Sequence, residues 1–183
     1  MAQLSRPTAR VRKSFLAAMQ EFAAEGRGGS GDNSMVGREL RELVQLWSSP
    51  EGFAEYVDSN RAAALEDTPR PDGWVPHTTW WLLEGDEYLG RVAVRHRLND
   101  HLRELGGHIG YDVRRSARRR GHATAMLRDV LPEAFALGID PALITCDTDN
   151  EASRRVITSN GGVLDDQRNG KLRYWVPTAP TVR

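Results

Sequence analysis

Val11, Phe15, Met19 and Phe22 recur every three or four positions, the spacing that lines up one stripe of a helix. Thr8 is a capping residue and Gly26 a natural stop, so the pattern predicts a helix over 9–25. Before it, 4–6 reads as a short strand. After it, Gly26-Arg27-Gly28-Gly29-Ser30-Gly31-Asp32-Asn33 is too rich in glycine for regular structure. It reads as part of a mobile loop over 26–37 and not as a domain boundary, because the segment before it is too short to fold alone. Leu40, Leu43, Val44, Leu46 and Trp47 suggest a second helix, broken by Ser48-Ser49-Pro50. Phe53, Tyr56 and Val57 suggest a third, to about residue 65. The stretch 68–76 holds three prolines and reads as a loop.

The period then shortens to two. Residues 78–83 and 88–98 read as strands joined by a Glu84-Gly85-Asp86 turn. In the second, Val92, Val94 and His96 alternate with Arg91, Ala93, Arg95 and Arg97, so one face is half polar. Residues 99–105 make a connection with a helical turn. A strand over 107–113, a basic loop and a helix to about residue 137 follow, with Gly138 as the stop. Pro132 inside that helix predicts a kink or local break. Residues 142–146 form an apolar strand and 150–159 a helix. A hairpin of 162–165 and 172–176 around Arg168-Asn169-Gly170 closes the chain. The order is α/β of mixed type, one domain over 1–183 with a central βαβ unit.

Composition narrows the function classes. The chain has 183 residues, enough for a sizeable core, and 39% hydrophobic residues. No run approaches the ~20 apolar residues of a membrane span, and the polar, basic start lacks the apolar stretch of a secretory signal. The single cysteine, Cys146, excludes an internal disulfide and fits a reducing cytoplasm. Net charge is zero, with 25 basic and 25 acidic residues, which argues against a general nucleic-acid binder. The basic residues are nearly all arginine; Lys13 and Lys171 are the only lysines. The five histidines show no metal-ligand spacing, so no metal is expected.

Charge is concentrated in one place. Arg114, Arg115, Arg118, Arg119 and Arg120 fill five of seven positions between a strand and a helix, and Gly121-His122-Ala123-Thr124 follow. The first N–H groups of a helix have no internal partners, and the helix dipole adds positive charge there. With a glycine to let backbone approach, this builds a pocket for phosphate or pyrophosphate. The nucleoside-triphosphate and dinucleotide glycine patterns are both absent.

Arg118-x-x-Gly121-x-Ala123 resembles the acyl-CoA pyrophosphate loop of the GNAT superfamily of N-acetyltransferases. The resemblance extends through Trp74-Val75-Pro76, Arg95-His96-Arg97-Leu98-Asn99, Gly106-Gly107-His108-Ile109-Gly110-Tyr111, Ile144-Thr145-Cys146-Asp147-Thr148-Asp149-Asn150, Ser159-Asn160-Gly161-Gly162-Val163-Leu164 and Arg173-Tyr174-Trp175. It points to a subgroup known as predicted acetyltransferases. It implies a central, mixed, splayed sheet flanked by helices, acetyl-CoA as co-substrate and a primary amine as acceptor. The acceptor would be a small amino-acid-like metabolite, an antibiotic or a peptide terminus. The pantetheine arm would lie in the splay and pair with backbone from Tyr111 through Asp112 to Val113. The pyrophosphate would sit on 119–124, with Arg114, Arg115 and Arg118 beside it. Asn150 matches the asparagine that helps hold the cofactor arm, and Ser153 lies one turn along. A homodimer is plausible within the family.

The resemblance leaves the proton transfers open. His108 lies where many relatives carry a glutamate base, with Glu104, Asp112 and His96 as rivals. Asp147 is either an acceptor-binding carboxylate or a helix cap. Isoleucine at 157 stands where many relatives have the tyrosine acid; Tyr111, Tyr174 and His122 are the candidates to replace it, with water as the alternative. Cys146, in an apolar strand, reads as a buried small residue, which favours direct attack by the amine. Trp74, His96, Asn99 and Asp147 are expected to bind the acceptor, and the 26–33 loop to gate the pocket. Trp80-Trp81 reads as core. The rival readings are a CoA-binding regulator without turnover and a nucleic-acid module using the arginines.

Overall fold

The computed structural model describes residues 1–180. Strand β1 is Gln3–Ser5, and a single 3-10 turn at Ala9–Val11 leads into α1, Arg12–Ala24. Three short helices follow: α2 (Met35–Glu42), α3 (Val44–Trp47) and α4 (Pro50–Ala62). Ser34 and Ser49 cap α2 and α4 through their side chains, and Pro50 opens α4 where no N–H is needed. The predicted second helix is thus two, interrupted at Leu43, whose φ is −116°.

Strands β2 (His77–Glu84), β3 (Glu87–Arg95) and β4 (Ile109–Val113) join β1 in an antiparallel sheet of order β1-β2-β3-β4. β3 ends three residues before the predicted 98. Helix α5 (His122–Ala136) leads to β5 (Ala142–Asp147), α6 (Glu151–Ser159) and the hairpin β6 (Val163–Arg168) and β7 (Lys171–Val176). These last strands form a second antiparallel sheet, β5-β7-β6. Asn169 and Gly170 both have positive φ, as a two-residue hairpin turn requires. α5 runs unbroken through Pro132, which faces solvent, so water can solvate the carbonyl it strands.

Two cores cover the two faces of the first sheet. On one, Val92, Val94 and Ile109 meet Met126, Leu127 and Val130 of α5, together with Ile144 and Ile157. On the other, Phe15 sits among the rings of Trp47, Phe53, Tyr56, Trp81 and Tyr88, all with centroids within 5.1–5.5 Å of it. Val11, Met19 and Phe22 complete that side, as their spacing predicts.

The expected single splayed sheet is split in two. β4 and β5 separate after one backbone bond, from His108 N–H to the Leu143 carbonyl (2.7 Å). Gly107 forces the point of divergence. Its φ is +63°, and a Cβ there would lie 2.5 Å from the Leu143 oxygen. The His108 ring closes the joint, its Nδ1 accepting the Leu143 N–H at 2.9 Å.

Candidate active site

The basic loop delivers the uncapped helix start that its sequence predicts. Gly121 is the residue before α5, at φ 79°, and has no side chain to cap the first N–H groups. Arg119 is also left-handed, at φ 58°, a strain of about 1–2 kcal/mol for a non-glycine residue. Beside these two residues lies a groove of about 770 Å³. Arg118, Arg119, Gly121, His122, Ala123 and Thr124 form one end, and Val113, Ala117 and Val156 supply apolar walls.

The five arginines divide. Arg118 and Arg119 line the groove. Arg114, Arg115 and Arg120 do not, against the expectation that all would face the anion. Arg114 is turned inward and bonds Glu21, Ser14 and the Tyr88 carbonyl. Burial alone would raise the Glu21 carboxyl; hydrogen bonds from Arg114 and Ser116 outweigh it and bring it down to about 2. Arg118 grips Glu25 at 2.6 and 2.7 Å and the Val113 carbonyl at 2.9 Å. Two of the five, Arg114 and Arg118, therefore tie the loop to Glu21 and Glu25 at the end of α1.

A second cavity, about 680 Å³, lies on the opposite side of the splay. Its walls are the loop at 31–34, the Arg91-Ala93-Arg95 face of β3, the turn around Leu102 and Gly106, and the rim residues Thr145, Cys146, Asp147 and Lys171. Groove and chamber share Arg27, Tyr111, Asp112, Asn150 and Ser153, so they meet where β4 and β5 part. There the Tyr111 hydroxyl lies 2.7 Å from Ser153 Oγ. Burial raises the Tyr111 phenol, which stays protonated in neutral solution. Asn150 caps α6, its Oδ1 accepting the Ser153 N–H at 3.0 Å. Burial also raises the Cys146 thiol, which makes it a poor nucleophile.

Asp112 is the one carboxylate that lines both cavities among the described residues. Arg27 reaches it at 3.0 Å while also bonding Asp32 and Ser34, which ties the glycine-rich loop across the chamber wall. Asp147 stands at the exposed rim, 2.5 Å from Lys171 Nζ, and does not cap α6.

Several expected residues lie elsewhere. His108 lines neither cavity. With Nδ1 holding a backbone N–H, and burial and then Arg103 and Arg95 lowering its pKa to about 4, it is a neutral structural ring. His96 bonds Thr78 at 2.8 Å, and Asn99 bonds the Gly73 carbonyl at 2.6 Å and the Leu102 N–H at 2.9 Å. Asn99 and the His96 backbone N–H, which donates to the Pro76 carbonyl at 2.8 Å, pin the 68–76 loop beyond the end of β3. Trp74 is stacked under Arg38 at 4.3 Å and lines a separate cavity of about 330 Å³. Neither Trp80 nor Trp81 faces the chamber. Arg27, Arg91, Arg95 and His101 are chamber residues that the sequence reading missed. Only the half-polar alternation of β3 signalled any of them.

The arrangement has known counterparts. The acetyltransferase (GNAT) domain family matches residues 35–163, most of the chain, and the protein belongs to that family. It is therefore an acyl-CoA-dependent N-acetyltransferase by class, with acetyl-CoA as co-substrate. No curated protein matches the chain. Among solved structures it is similar to Mycobacterium smegmatis RimJ in complex with a CoA disulfide, at TM-score 0.66 and 16% identity over 96% of this chain and 81% of that one. It is also similar to RimL, the ribosomal L7/L12 alpha-N-protein acetyltransferase in complex with coenzyme A, at TM-score 0.62 and 16% identity over 98% and 96%. A third is the microcin C7 self-immunity acetyltransferase MccE in complex with acetyl-CoA and AMP, at TM-score 0.60 and 12% identity over 96% and 92%. These likenesses establish the shared GNAT fold. No helix among the described residues is long and apolar enough to cross a membrane, and no metal-binding cluster occurs among them.

Proposed function

We propose that the protein transfers the acetyl group of acetyl-CoA to the primary amine of a small amino-acid-like compound or a peptide terminus, by direct attack in a ternary complex. The observation that carries this reading is the meeting of the two cavities at Tyr111 and Ser153, with an uncapped helix start at the far end of one of them. The residues fit the co-substrate. The free N–H groups of 122–124 with Arg119 suit a pyrophosphate, and Val113, Ala117 and Val156 suit an apolar arm. Asn150 has an amide N–H₂ left over after capping α6 to help hold that arm. Acetyl-CoA supplies an activated thioester.

The chain's own groups then manage two protons. An amine reaches the chamber mostly as ammonium, and Asp112 takes its proton, directly or through one water. The neutral nitrogen attacks the thioester carbon, and a β4 backbone N–H stabilises the oxygen that becomes negative. When the carbon–sulfur bond breaks, the Tyr111 hydroxyl donates a proton to the departing thiolate, and the second proton lost by the attacking nitrogen returns to Tyr111 through Ser153. Tyr111 thus does the work of the tyrosine that Ile157, fully buried here, cannot do. The loop at 26–34 gates the chamber through the Arg27–Asp112 bond.

The test is CoA release across a panel of primary amines, with Y111F, S153A and D112N alongside wild type. Y111F lowers kcat by at least ~100-fold, the lower end for a lost general acid, while acetyl-CoA KM stays within about threefold. Full activity in Y111F removes Tyr111 from the mechanism. CoA binding without turnover on any amine points instead to a CoA-binding regulator.

A further inference from the structure

The chamber contains four arginine and lysine side chains, and three of them are neutralised. Arg91 is buried and its Nη1 donates to Glu39 at 2.7 Å. Arg27 is held between Asp32 and Asp112. Lys171 is paired with Asp147. Arg95 differs. Its Nη1 donates only to the Gly106 and Gly107 carbonyls, at 3.0 and 3.1 Å, and no carboxylate reaches it among the described residues. Burial lowers its basicity with no acid to offset it.

The floor beside Arg95 is bare. Arg91, Ala93 and Arg95 lie on one face of β3, two residues apart, and Ala93 pairs with Gly110 of β4. A methyl group at Gly110 would sit 3.7 Å from both terminal nitrogens of Arg95. The guanidinium thus lies over the strand one residue, ~3.3 Å, before Tyr111. A partly desolvated guanidinium without an acid is costly unless a ligand supplies the anion. Its planar fork matches a carboxylate in two-pronged geometry.

Resting on the acetyltransferase reading above, we infer that the acceptor amine carries a carboxylate a few bonds from its nitrogen, and that Arg95 binds it. An α-amino acid or an acidic residue near a peptide N-terminus presents this chemistry. The glycine and alanine floor leaves the space, and Arg95 sets the direction from which the amine approaches the splay.

The experiment compares matched acceptors. L-amino acids are run against their carboxamides, and tripeptides with Asp or Glu in the first two positions against those with Asn or Gln. The first pair reads a free amino acid and the second a peptide. Wild type is expected to favour the carboxylate member at least tenfold in kcat/KM in one arm, and R95Q to bring that ratio close to one. R95K, which keeps the charge without the fork, retains part of it and stands in if R95Q fails to fold. Equal use of both members by wild type, or a ratio unmoved in R95Q, overturns the inference. If wild type turns over no amine, the acetyltransferase reading fails, and calorimetry on CoA-saturated protein decides the Arg95 question with the same probes. Carboxylate-selective binding lost in R95Q upholds it. No selective binding overturns it.

Discussion

The helical side of the β2–β3 sheet and the splay between β4 and β5 are built on opposite rules. The first is closed. Six aromatic rings surround one another, and the buried Arg91–Glu39 pair sits where this packing meets the chamber wall, with Tyr56 also bonding Glu39 at 3.0 Å. The second is held open. Gly107, the His108 ring and the backbone of Leu143 meet at one corner, and beyond it two strands part to make room. Burial on one side stabilises the fold so that the other can leave backbone unpaired toward a ligand. Dry packing and an open site thus share strand β3.

The largest effect should come from breaking the closed side. E39A leaves the Arg91 charge buried without its partner and should cost about 3–5 kcal/mol, read by urea denaturation. If the two regions are separable, the affinity for CoA per folded molecule stays within about threefold. A CoA affinity lost in step with stability would mean the aromatic side also shapes the groove.

Next comes the corner of the splay. In G107A a Cβ meets the Leu143 oxygen at 2.5 Å in a left-handed backbone. The expected loss is about 2–4 kcal/mol from strain and overpacking. CoA should also bind at least tenfold more weakly, because the strands are wedged apart. A G107A protein with wild-type Tm and CoA affinity would show that Gly107 does not set the divergence.

A smaller effect follows from pH. The folded-state pKa of His108, about 4, lies below its ordinary 6.5. Its contribution to stability is therefore fully present above pH 6.5 and is lost as pH falls toward 4, by about 1–2 kcal/mol once solvent screening is allowed for. Thermal melts of wild type and H108Q between pH 7.5 and 4.5 check it: the wild-type slope in that window should flatten in H108Q. An identical slope in both would assign the pH dependence to other groups.

The smallest effect sharpens the division among the arginines. R119A should weaken CoA binding about three- to tenfold, less so at high salt, with Tm nearly unchanged. R114A should lower Tm through the lost Glu21 tie while CoA affinity holds. The reverse outcome would mean that Arg114 turns to the ligand when CoA binds.

Periodicity alone was enough for most elements: the α1 stripe, the β2–β3 hairpin, the strand–loop–helix at Gly121 and the closing hairpin all follow from spacing and turn residues. These are local matters, settled by backbone preferences and by which face of a segment is apolar. The uncapped start of α5 was legible for the same reason, since a helix start and its glycine are neighbours in the chain. The chamber was not. His108 reads like a base from its place in a strand, and only the packing of β5 against it shows the ring spent on the Leu143 N–H. His96 and Asn99 read like acceptor ligands and instead pin a loop.

The difference is one of range. The chain by itself determined its helices and strands, its family and the glycine-led, uncapped start of α5, because each rests on residues within a few turns of one another. Only the tertiary structure decided which arginine is neutralised by Glu39, which is left facing the chamber without an acid, and that Tyr111 meets Ser153 across the splay. Those outcomes depend on pairs dozens of residues apart, and a charge is defined by the partner that packing brings to it.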